Sequence, residues 1–177
     1  MNECDHTSVG AIARDNQGKI LMIERKMFPF GFAPPAGHCD GDQYPVACCK
    51  EFRQETGLEI VGAPKPLILI KNARTPNMCR RGGLYHFWQV FEVKWKGEQQ
   101  RSLDETKWIG WMSVEEIRIL AAKTQEYLQR LKLAEQAEEK SWAVSIKKSI
   151  ESQWQKSPGL EVVWFDIFQE LRIIQSN

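Results

Sequence analysis

One segment, residues 27–57, restricts the folds open to this chain more than any other. Residues 27–42 are rich in proline, glycine and phenylalanine, a composition that breaks regular structure yet is too apolar for a plain solvent loop. A long ordered loop of this kind is usually a functional loop. Pro45 then suits a first helical turn, and the pattern predicts a helix over Val46–Thr56 that ends at Gly57. The sequence therefore predicts a helix that directly follows a functional loop.

Stretches with strand-forming residues lie on both sides of this segment. Ser8–Ala13 and Lys19–Glu24 are joined by the turn formers of residues 15–18, and we predict a β-hairpin there. Leu67–Ile70 and Leu84–Trp95 are predicted strands after the helix, and Trp108–Trp111 is a short strand. Strands are thus expected before and after the helix.

The C-terminal third is helical in pattern. Ser113 and Glu116 form a capping box that opens a helix. Four apolar residues then recur every four positions: Trp142, Ile146, Ile150 and Trp154. Residues 162–174 are strongly apolar. We expect core stripes here. The alternative is an interface, formed around Val162–Phe165, with a partner or with a second copy of the chain in a homodimer.

Composition excludes several classes of protein. The chain has 177 residues, which predicts about one domain. Its 24 Lys plus Arg against 23 Asp plus Glu give a net charge of +1, so binding of duplex nucleic acid through global attraction is not expected. No apolar run reaches the roughly 20 residues of a membrane-spanning helix, and the first residues do not resemble a signal peptide. We therefore expect no membrane partner and a cytoplasmic location.

The 5 cysteines do not form a disulfide or zinc pattern. Their number is odd, and Cys48 and Cys49 are adjacent, so we expect reduced thiols. Cys39 lies beside His38, but no second ligand pair stands at zinc spacing, and no zinc site is predicted.

The chemistry-bearing residues lie on the predicted helix. Glu51 and Glu55 are four residues apart and share a face, with Gln54 beside them. Two aligned carboxylates can share a cation, although Glu at this spacing usually lies on a solvated helix face. The glycine-containing loop over residues 37–42 can bring backbone atoms to a ligand and its metal, which favours a functional site.

These residues resemble the Nudix box, G-x5-E-x7-R-E-U-x-E-E-x-G-U, in which U is an aliphatic residue. Residues 37–58 keep this order with a loop one residue shorter. Asp42 stands for the first Glu, Lys50 for Arg, Phe52 for an aliphatic residue and Gln54 for one of the paired Glu. Residues 14–21 and 105–117 look like the family's opening hairpin and its last strand with the following helix start. The resemblance covers about residues 7 to 120.

The resemblance implies a fold, a reaction and a domain division. The expected fold class is α/β, an α/β/α sandwich with a mixed β-sheet and an added C-terminal helical segment. The expected division is a Nudix module over residues 1–120 and a helical extension over residues 121–177 that packs on the same domain. The expected activity is metal-dependent hydrolysis of the diphosphate linkage in a nucleoside diphosphate joined to another moiety. A small-molecule nucleotide is thus the expected partner.

The resemblance also assigns metal ligands. Glu51, Glu55 and the Gly37 carbonyl are implied ligands of a divalent ion, and Gln54 occupies a further ligand position with a weaker oxygen. Mg²⁺ is the expected cofactor, with Mn²⁺ as a substitute, because Mg²⁺ prefers carboxylate oxygens and substrate phosphates. Glu51 and Glu55 are thereby candidate catalytic residues.

Other candidate residues come from outside the helix. Glu105 matches the position of an additional acidic residue in some relatives and is a candidate general base; a solvated loop carboxylate is the alternative. Arg25 is the first candidate for binding phosphate, and the basic loop supplies Arg74, Arg80 and Arg81. Phe30, Phe32 and Trp88 are candidates for stacking on a base. His86 and Trp88 share a strand face and are candidate pocket residues, with cross-strand packing as the alternative.

A rival hypothesis is a catalytically weak Nudix-like module that binds a nucleotide as a sensor. Gln54 and the shortened loop favour it. The two carboxylates that remain on one helix face favour the enzyme, because a binding module does not need to keep a metal site.

Overall fold

The computed structural model describes residues 3–70, 77–136 and 143–175, and within them the strands form two sheets. One sheet has four strands in the order β4-β1-β6-β5, and the other has three in the order β3-β2-β7. β1 and β6 are parallel and all other neighbours are antiparallel, so the larger sheet is mixed. The strands are β1 (Thr7–Ala13), β2 (Ile20–Arg25), β3 (Phe32–Ala33), β4 (Ala36–His38), β5 (Glu59–Ile70), β6 (Phe87–Lys96) and β7 (Thr106–Met112).

The predicted hairpin between the first two strands is wrong beyond its turn. The turn forms, since the Asp15 N–H donates to the Lys19 carbonyl at 3.0 Å and Gly18 adopts a φ of 77°. The pairing then stops at a single bridge between Arg14 and Ile20. β1 continues between β4 and β6, whereas β2 continues between β3 and β7. The two strands diverge because each gains more partners in a separate sheet than in a two-stranded ribbon.

Helix α1 (Tyr44–Thr56) covers one face of the sheets. Pro45 occupies its first turn, and Gly57 ends it in the left-handed conformation with a φ of 73°, so the predicted boundaries are confirmed within two residues. The helix buries Phe52 against residues of β1 and β6, including Val9 and Phe91.

The opposite face is covered by C-terminal helices. These are α2 (Val114–Gln136), α3 (Ala143–Lys156) and α4 (Val162–Glu170). Trp164 of α4 and Ile117 of α2 share a core with Ile12 of β1 and Val90 of β6. Because strand side chains alternate, β1 supplies one core through its odd positions and the other through Ile12. Helices on both sides of the strands give the predicted α/β/α sandwich.

The predicted helical signals can be compared with the observed helices. The capping box forms: the Ser113 N–H donates to Glu116 Oε2 at 2.7 Å, and the Glu116 N–H donates to Ser113 Oγ at 3.3 Å. In the stripe on α3, Ile150 and Trp154 are buried while Ile146 is 41% exposed, and Trp142 lies outside the described residues. In the described ranges, no helix combines the length and apolarity that a membrane crossing requires.

Candidate functional site

The two predicted catalytic carboxylates are held between α1 and β4. Glu55 is only 4% exposed, and its Oε2 accepts a hydrogen bond from the Ala36 N–H at 2.8 Å. One turn earlier, the Glu51 carboxylate lies against the Cα of Gly37, where any Cβ would overlap it. The glycine that opens the loop is therefore required for close packing of strand and carboxylate.

Burial makes both carboxylates costly to ionise. It raises the pKa of Glu55 to about 8, although Arg25 and the Ala36 hydrogen bond act in the opposite direction. Burial also raises the pKa of Glu51 to about 7, and Glu105 adds to this shift. Two neighbouring carboxylates with raised pKa values form a site that a cation would stabilise.

A third carboxylate, Glu105, reaches this pair from the segment before β7. Its Oε1 accepts a hydrogen bond from Gln54 Nε2 at 3.4 Å, which ties the segment to α1. Its backbone carbonyl accepts from the Lys26 N–H at 2.8 Å. Within the described part of the chain, Glu105 Oε2 is buried and has no hydrogen-bond partner. The charge of Glu105 acts on both Glu51 and Glu55, so the three carboxylates form one acid cluster.

Arg25 is the cation that faces the acid cluster. It lies at the end of β2, where a register shift in the pairing with β7 places it opposite Thr106, next to Glu105. Burial acts to lower its pKa, but the negative charges of Glu161 and the acid cluster raise it. Its Nε is 3.6 Å from Glu161 Oε2, and the Glu161 side chain is only 4% exposed.

Glu161 was not singled out from the sequence. It immediately precedes α4, and its backbone N–H donates to the Phe32 carbonyl at 2.9 Å, which brings it to β3 and Arg25. A single glutamate 136 positions after Arg25 carries no local signal of this pairing. The C-terminal segment therefore contributes a charged residue to the site.

A cavity of about 610 Å³ opens beside Glu161. It lies between the loop after β2 and the helices α2 and α3, and its lining includes Phe28, Phe30, Tyr127 and Trp154. The rings of Tyr127 and Trp154 stack at 4.1 Å between centroids. Its volume and aromatic walls are typical of a small-molecule site.

The remaining predicted substrate residues are distributed unevenly. Phe32 is half-buried on β3, near Arg25, and meets Trp108 edge-on at 5.9 Å. Arg81 pairs with Asp40 through Nη1 and Nη2, and Arg80 is exposed. Arg74 lies outside the described residues.

Trp88 and His86 are buried, and their contacts are with residues outside the acid cluster. Trp88 is 5% exposed and meets Trp164 edge-on in the core at 5.7 Å, which is the packing alternative. His86 is 2% exposed, and its ring contacts His38 and Cys4. Their predicted role in substrate binding has no direct support in this geometry.

The donors in the acid cluster fit a hard divalent cation. All are oxygen atoms: two carboxylates on one helix face, the Gly37 backbone next to one of them, and the buried unpartnered Glu105 Oε2. Mg²⁺ takes oxygen ligands and is typically held by one or two carboxylates. Gln54 is exposed and its amide is directed to Glu105, so its predicted role as a ligand stays a prediction.

Comparison with known proteins identifies the family. A family model described as NUDIX domain matches residues 5–133. A MutT NUDIX hydrolase structure from Burkholderia pseudomallei is 22% identical with a TM-score of 0.52, over 62% of this chain and 84% of that chain. The MutT protein from Methanosarcina mazei Go1 is 20% identical with a TM-score of 0.50, over 66% and 83%. No curated protein matched the chain.

The match and the shared architecture confirm the predicted fold and family. The model match spans most of the chain and includes α1, β4 and Glu105. At these identities the solved structures support the fold alone. The chain belongs to the Nudix family.

Proposed function

We propose that this protein hydrolyses the diphosphate linkage of a nucleoside diphosphate joined to another moiety, with Mg²⁺ as its metal. The observation that carries the proposal is the acid cluster, in which Glu55 is buried, Glu51 is half-buried on the same face of α1, and both have raised pKa values. A buried group of carboxylates without a cation destabilises the fold, so a function that supplies a cation explains why they are there.

The oxygen atoms of Glu51, Glu55 and the Gly37 carbonyl would hold the ion. When bound, Mg²⁺ neutralises charge on the phosphoryl oxygens and favours ionisation of a water molecule. Glu105 Oε2, buried and without a partner among the described residues, is placed to accept a proton from the attacking water. The water oxygen forms a bond to phosphorus, the bond from phosphorus to the bridging oxygen breaks, and the leaving phosphate takes the electron pair.

Arg25 is the proposed phosphate ligand. Its guanidinium lies beside the acid cluster and is held by Glu161 at 3.6 Å, a distance longer than a hydrogen bond. Its Nε has no hydrogen-bond partner in the described ranges. The side chain is 23% exposed, so a phosphoryl oxygen can accept a hydrogen bond from the guanidinium group.

The aromatic cavity is the proposed site for the nucleoside or for the moiety attached to it. Glu161 joins the cavity to Arg25, so a substrate with its diphosphate at Arg25 can extend into the cavity that Phe30 and Trp154 line. Aromatic walls favour a flat ring system, because stacking is available to every nucleobase.

A glutamine variant of Glu55 tests the proposed activity. Glu55→Gln keeps the side-chain size and an oxygen that can accept from Ala36, but removes the negative charge. We expect turnover to fall by about 10²-fold or more, the scale of losing a group that acts in the transition state. The matched control is Glu59→Gln, an exposed carboxylate paired with Lys96 on the surface, which should keep wild-type turnover.

The assay uses a panel of sugar nucleotides, dinucleotides, nucleoside triphosphates and modified nucleotides with Mg²⁺ or Mn²⁺. Release of phosphate after coupling to a phosphatase identifies the substrate. A folded Glu55→Gln variant with wild-type turnover contradicts the role of Glu55. Tight nucleotide binding by calorimetry, with no product at high enzyme concentration, favours the sensor instead.

A further inference from the structure

Four side chains of types that bind zinc lie close together outside the acid cluster. They are Cys4 before β1, His38 at the end of β4, Cys79 in the segment before β6, and His86 just before β6. Their ligand atoms all lie within 4.8 Å of one another. Cys4 Sγ is 3.1 Å from His86 Nε2 and 3.7 Å from His38 Nε2, and the two Nε2 atoms are 3.1 Å apart.

These distances match one tetrahedral centre. With Zn–S bonds of about 2.3 Å and Zn–N bonds of about 2.0 Å, tetrahedral geometry separates the ligand atoms by about 3.3 to 3.8 Å. Two sulfur and two nitrogen donors form a Cys₂His₂ set, which is a closed set of four ligands. Such a set is typical of a structural zinc site rather than a catalytic one.

The surroundings orient the ligands toward a common point. His86 Nδ1 donates to the Asn77 carbonyl at 2.9 Å, so the neutral ring carries its lone pair on Nε2, the atom that faces Cys4 and His38. This is the usual outer contact of a metal-bound histidine. The His6 N–H donates to Cys4 Sγ at 3.4 Å, which helps to hold the sulfur atom toward the two histidines.

The backbone also makes room for the two sulfur atoms. The segment over residues 79–83 is a tight turn, in which the Cys79 N–H donates to the Gly83 carbonyl at 2.9 Å. Gly83 lies so close to Cys4 Sγ that a Cβ would overlap it, and Cys79 Sγ is also adjacent. A residue with a side chain at position 83 would therefore separate the ligands.

The ligands connect a segment without regular structure to the loop before α1. Residues 77–86 contain no helix or strand, and their pairing with the loop before α1 rests on the exposed Asp40–Arg81 ion pair. An exposed ion pair stabilises a structure by about 1 kcal/mol or less. A metal ion that joins residues 34 and 82 positions apart constrains this region far more.

We propose that Cys4, His38, Cys79 and His86 bind one structural Zn²⁺ ion, which fixes the segment over residues 77–86 against the loop that begins at Gly37. The donors are soft sulfur and nitrogen atoms, whereas those of the acid cluster are hard oxygen atoms, so the two sites select different metals. The zinc site does not depend on the proposed hydrolase activity.

The test measures metal content in the full-length protein, purified without a metal-affinity resin and equilibrated with excess Zn²⁺. After removal of free metal, mass spectrometry of the elements should find about one zinc ion per chain, as expected for a single closed site. Cys4→Ser and Cys79→Ser should lose most of this zinc. Cys49→Ser, which changes an exposed cysteine of α1, should keep it.

Two further measurements keep the outcome unambiguous. Co²⁺ in place of Zn²⁺ in the wild-type protein should give the visible bands of a tetrahedral centre and a thiolate charge-transfer band. This measurement uses the wild-type protein, so it does not depend on the folding of a variant. Glu55→Gln should keep its zinc while losing turnover, which separates this site from the hydrolase. The proposal is overturned by wild-type protein with reduced thiols and no bound zinc, by zinc retained in both cysteine variants, or by a cobalt spectrum without the thiolate band.

Discussion

At the scale of single residues, burial distinguishes functional carboxylates from ordinary ones. The sequence leaves open whether Glu51 and Glu55 lie on a solvated helix face, because the spacing of the two residues is the same in either case. The structure buries Glu55 to 4% exposure and places Glu51 against Gly37. Since burial of unpaired carboxylates is costly, their position indicates a functional site.

The first prediction concerns the pH dependence of stability in buffer without Mg²⁺. The folded-state pKa of Glu55 is raised from 4.5 to about 8, so the folded protein holds a proton that the unfolded chain releases. The contribution of Glu55 to the free energy of unfolding should therefore be highest below about pH 4.5 and should fall as the pH rises toward 8. Glu55→Gln should show a shallower fall, with Glu51 accounting for what remains.

Thermal unfolding monitored by circular dichroism at several pH values measures this slope. Glu59→Gln is the control, because Glu59 is exposed and should leave the slope unchanged. Equal slopes for wild type and Glu55→Gln would show that Glu55 is not the group responsible.

The second prediction concerns Glu105 as the proton acceptor. Glu105→Gln should lower kcat by about 10²-fold while KM changes little, since general-base catalysis contributes on this scale. The matched control is Glu98→Gln, an exposed carboxylate in the same connection between β6 and β7. Steady-state kinetics at saturating Mg²⁺ is the decisive measurement, because loss of the base lowers kcat without weakening substrate binding. A Glu105→Gln variant that keeps wild-type kcat assigns the base to another residue.

At the scale of secondary-structure elements, the site depends on how loops and helices are joined. The loop after β2 meets α3, where Trp154 Nε1 donates to the Phe30 carbonyl at 3.2 Å. Phe30 and Trp154 both line the aromatic cavity. The apolar character of residues 28–30 in the sequence is thus explained by a cavity wall rather than by the acid cluster.

The third prediction is that Trp154→Ala raises KM for the substrate about tenfold and leaves kcat nearly unchanged. Base stacking on an aromatic ring contributes about 1–3 kcal/mol, and a group remote from phosphorus affects binding in the ground state and the transition state alike. Val144→Ala on the exposed face of the same helix is the control. Steady-state kinetics with the identified substrate distinguishes this result from a fall in kcat at constant KM, which would place Trp154 outside the binding site.

At the scale of the whole molecule, the C-terminal helices complete the sandwich. α4 contributes Trp164 and Phe168 to the core shared with β1 and β6. Gly10 of β1 leaves space for the Trp164 ring, since a Cβ there would overlap it. Coverage of the sheets, one of the alternatives for the apolar residues 162–174, is therefore what α4 provides, and a homodimer stays a prediction.

The fourth prediction follows from this packing. Trp164→Ala should lower the free energy of unfolding by about 3–5 kcal/mol, the usual cost of removing a large buried aromatic side chain. Leu133→Ala, on an exposed face of α2, should change it by about 0.5 kcal/mol or less. Urea unfolding of the two variants compares them, and similar losses would contradict a core role for Trp164.

Local signals were sufficient for the shared helix face of the two carboxylates and for several element boundaries. Pro45 and Gly57 bracket α1, Ser113 and Glu116 cap α2, and Glu51 with Glu55 lie on one helix face, because each of these relations spans only a few residues. Backbone geometry alone fixes such relations, whatever the rest of the chain does.

The tertiary structure decided what depends on distant segments. It separated β1 from β2 into different sheets, paired Arg25 with Glu161, and gathered Cys4, His38, Cys79 and His86 at one point. A search for zinc ligands by sequence spacing considers neighbouring pairs, whereas these ligands come from three separate segments. The sequence by itself determined the acidic helix and its loop, because helix geometry depends on residues that are close in the chain. Packing determined which residues contact that helix, because buried contacts form between residues that only folding brings together.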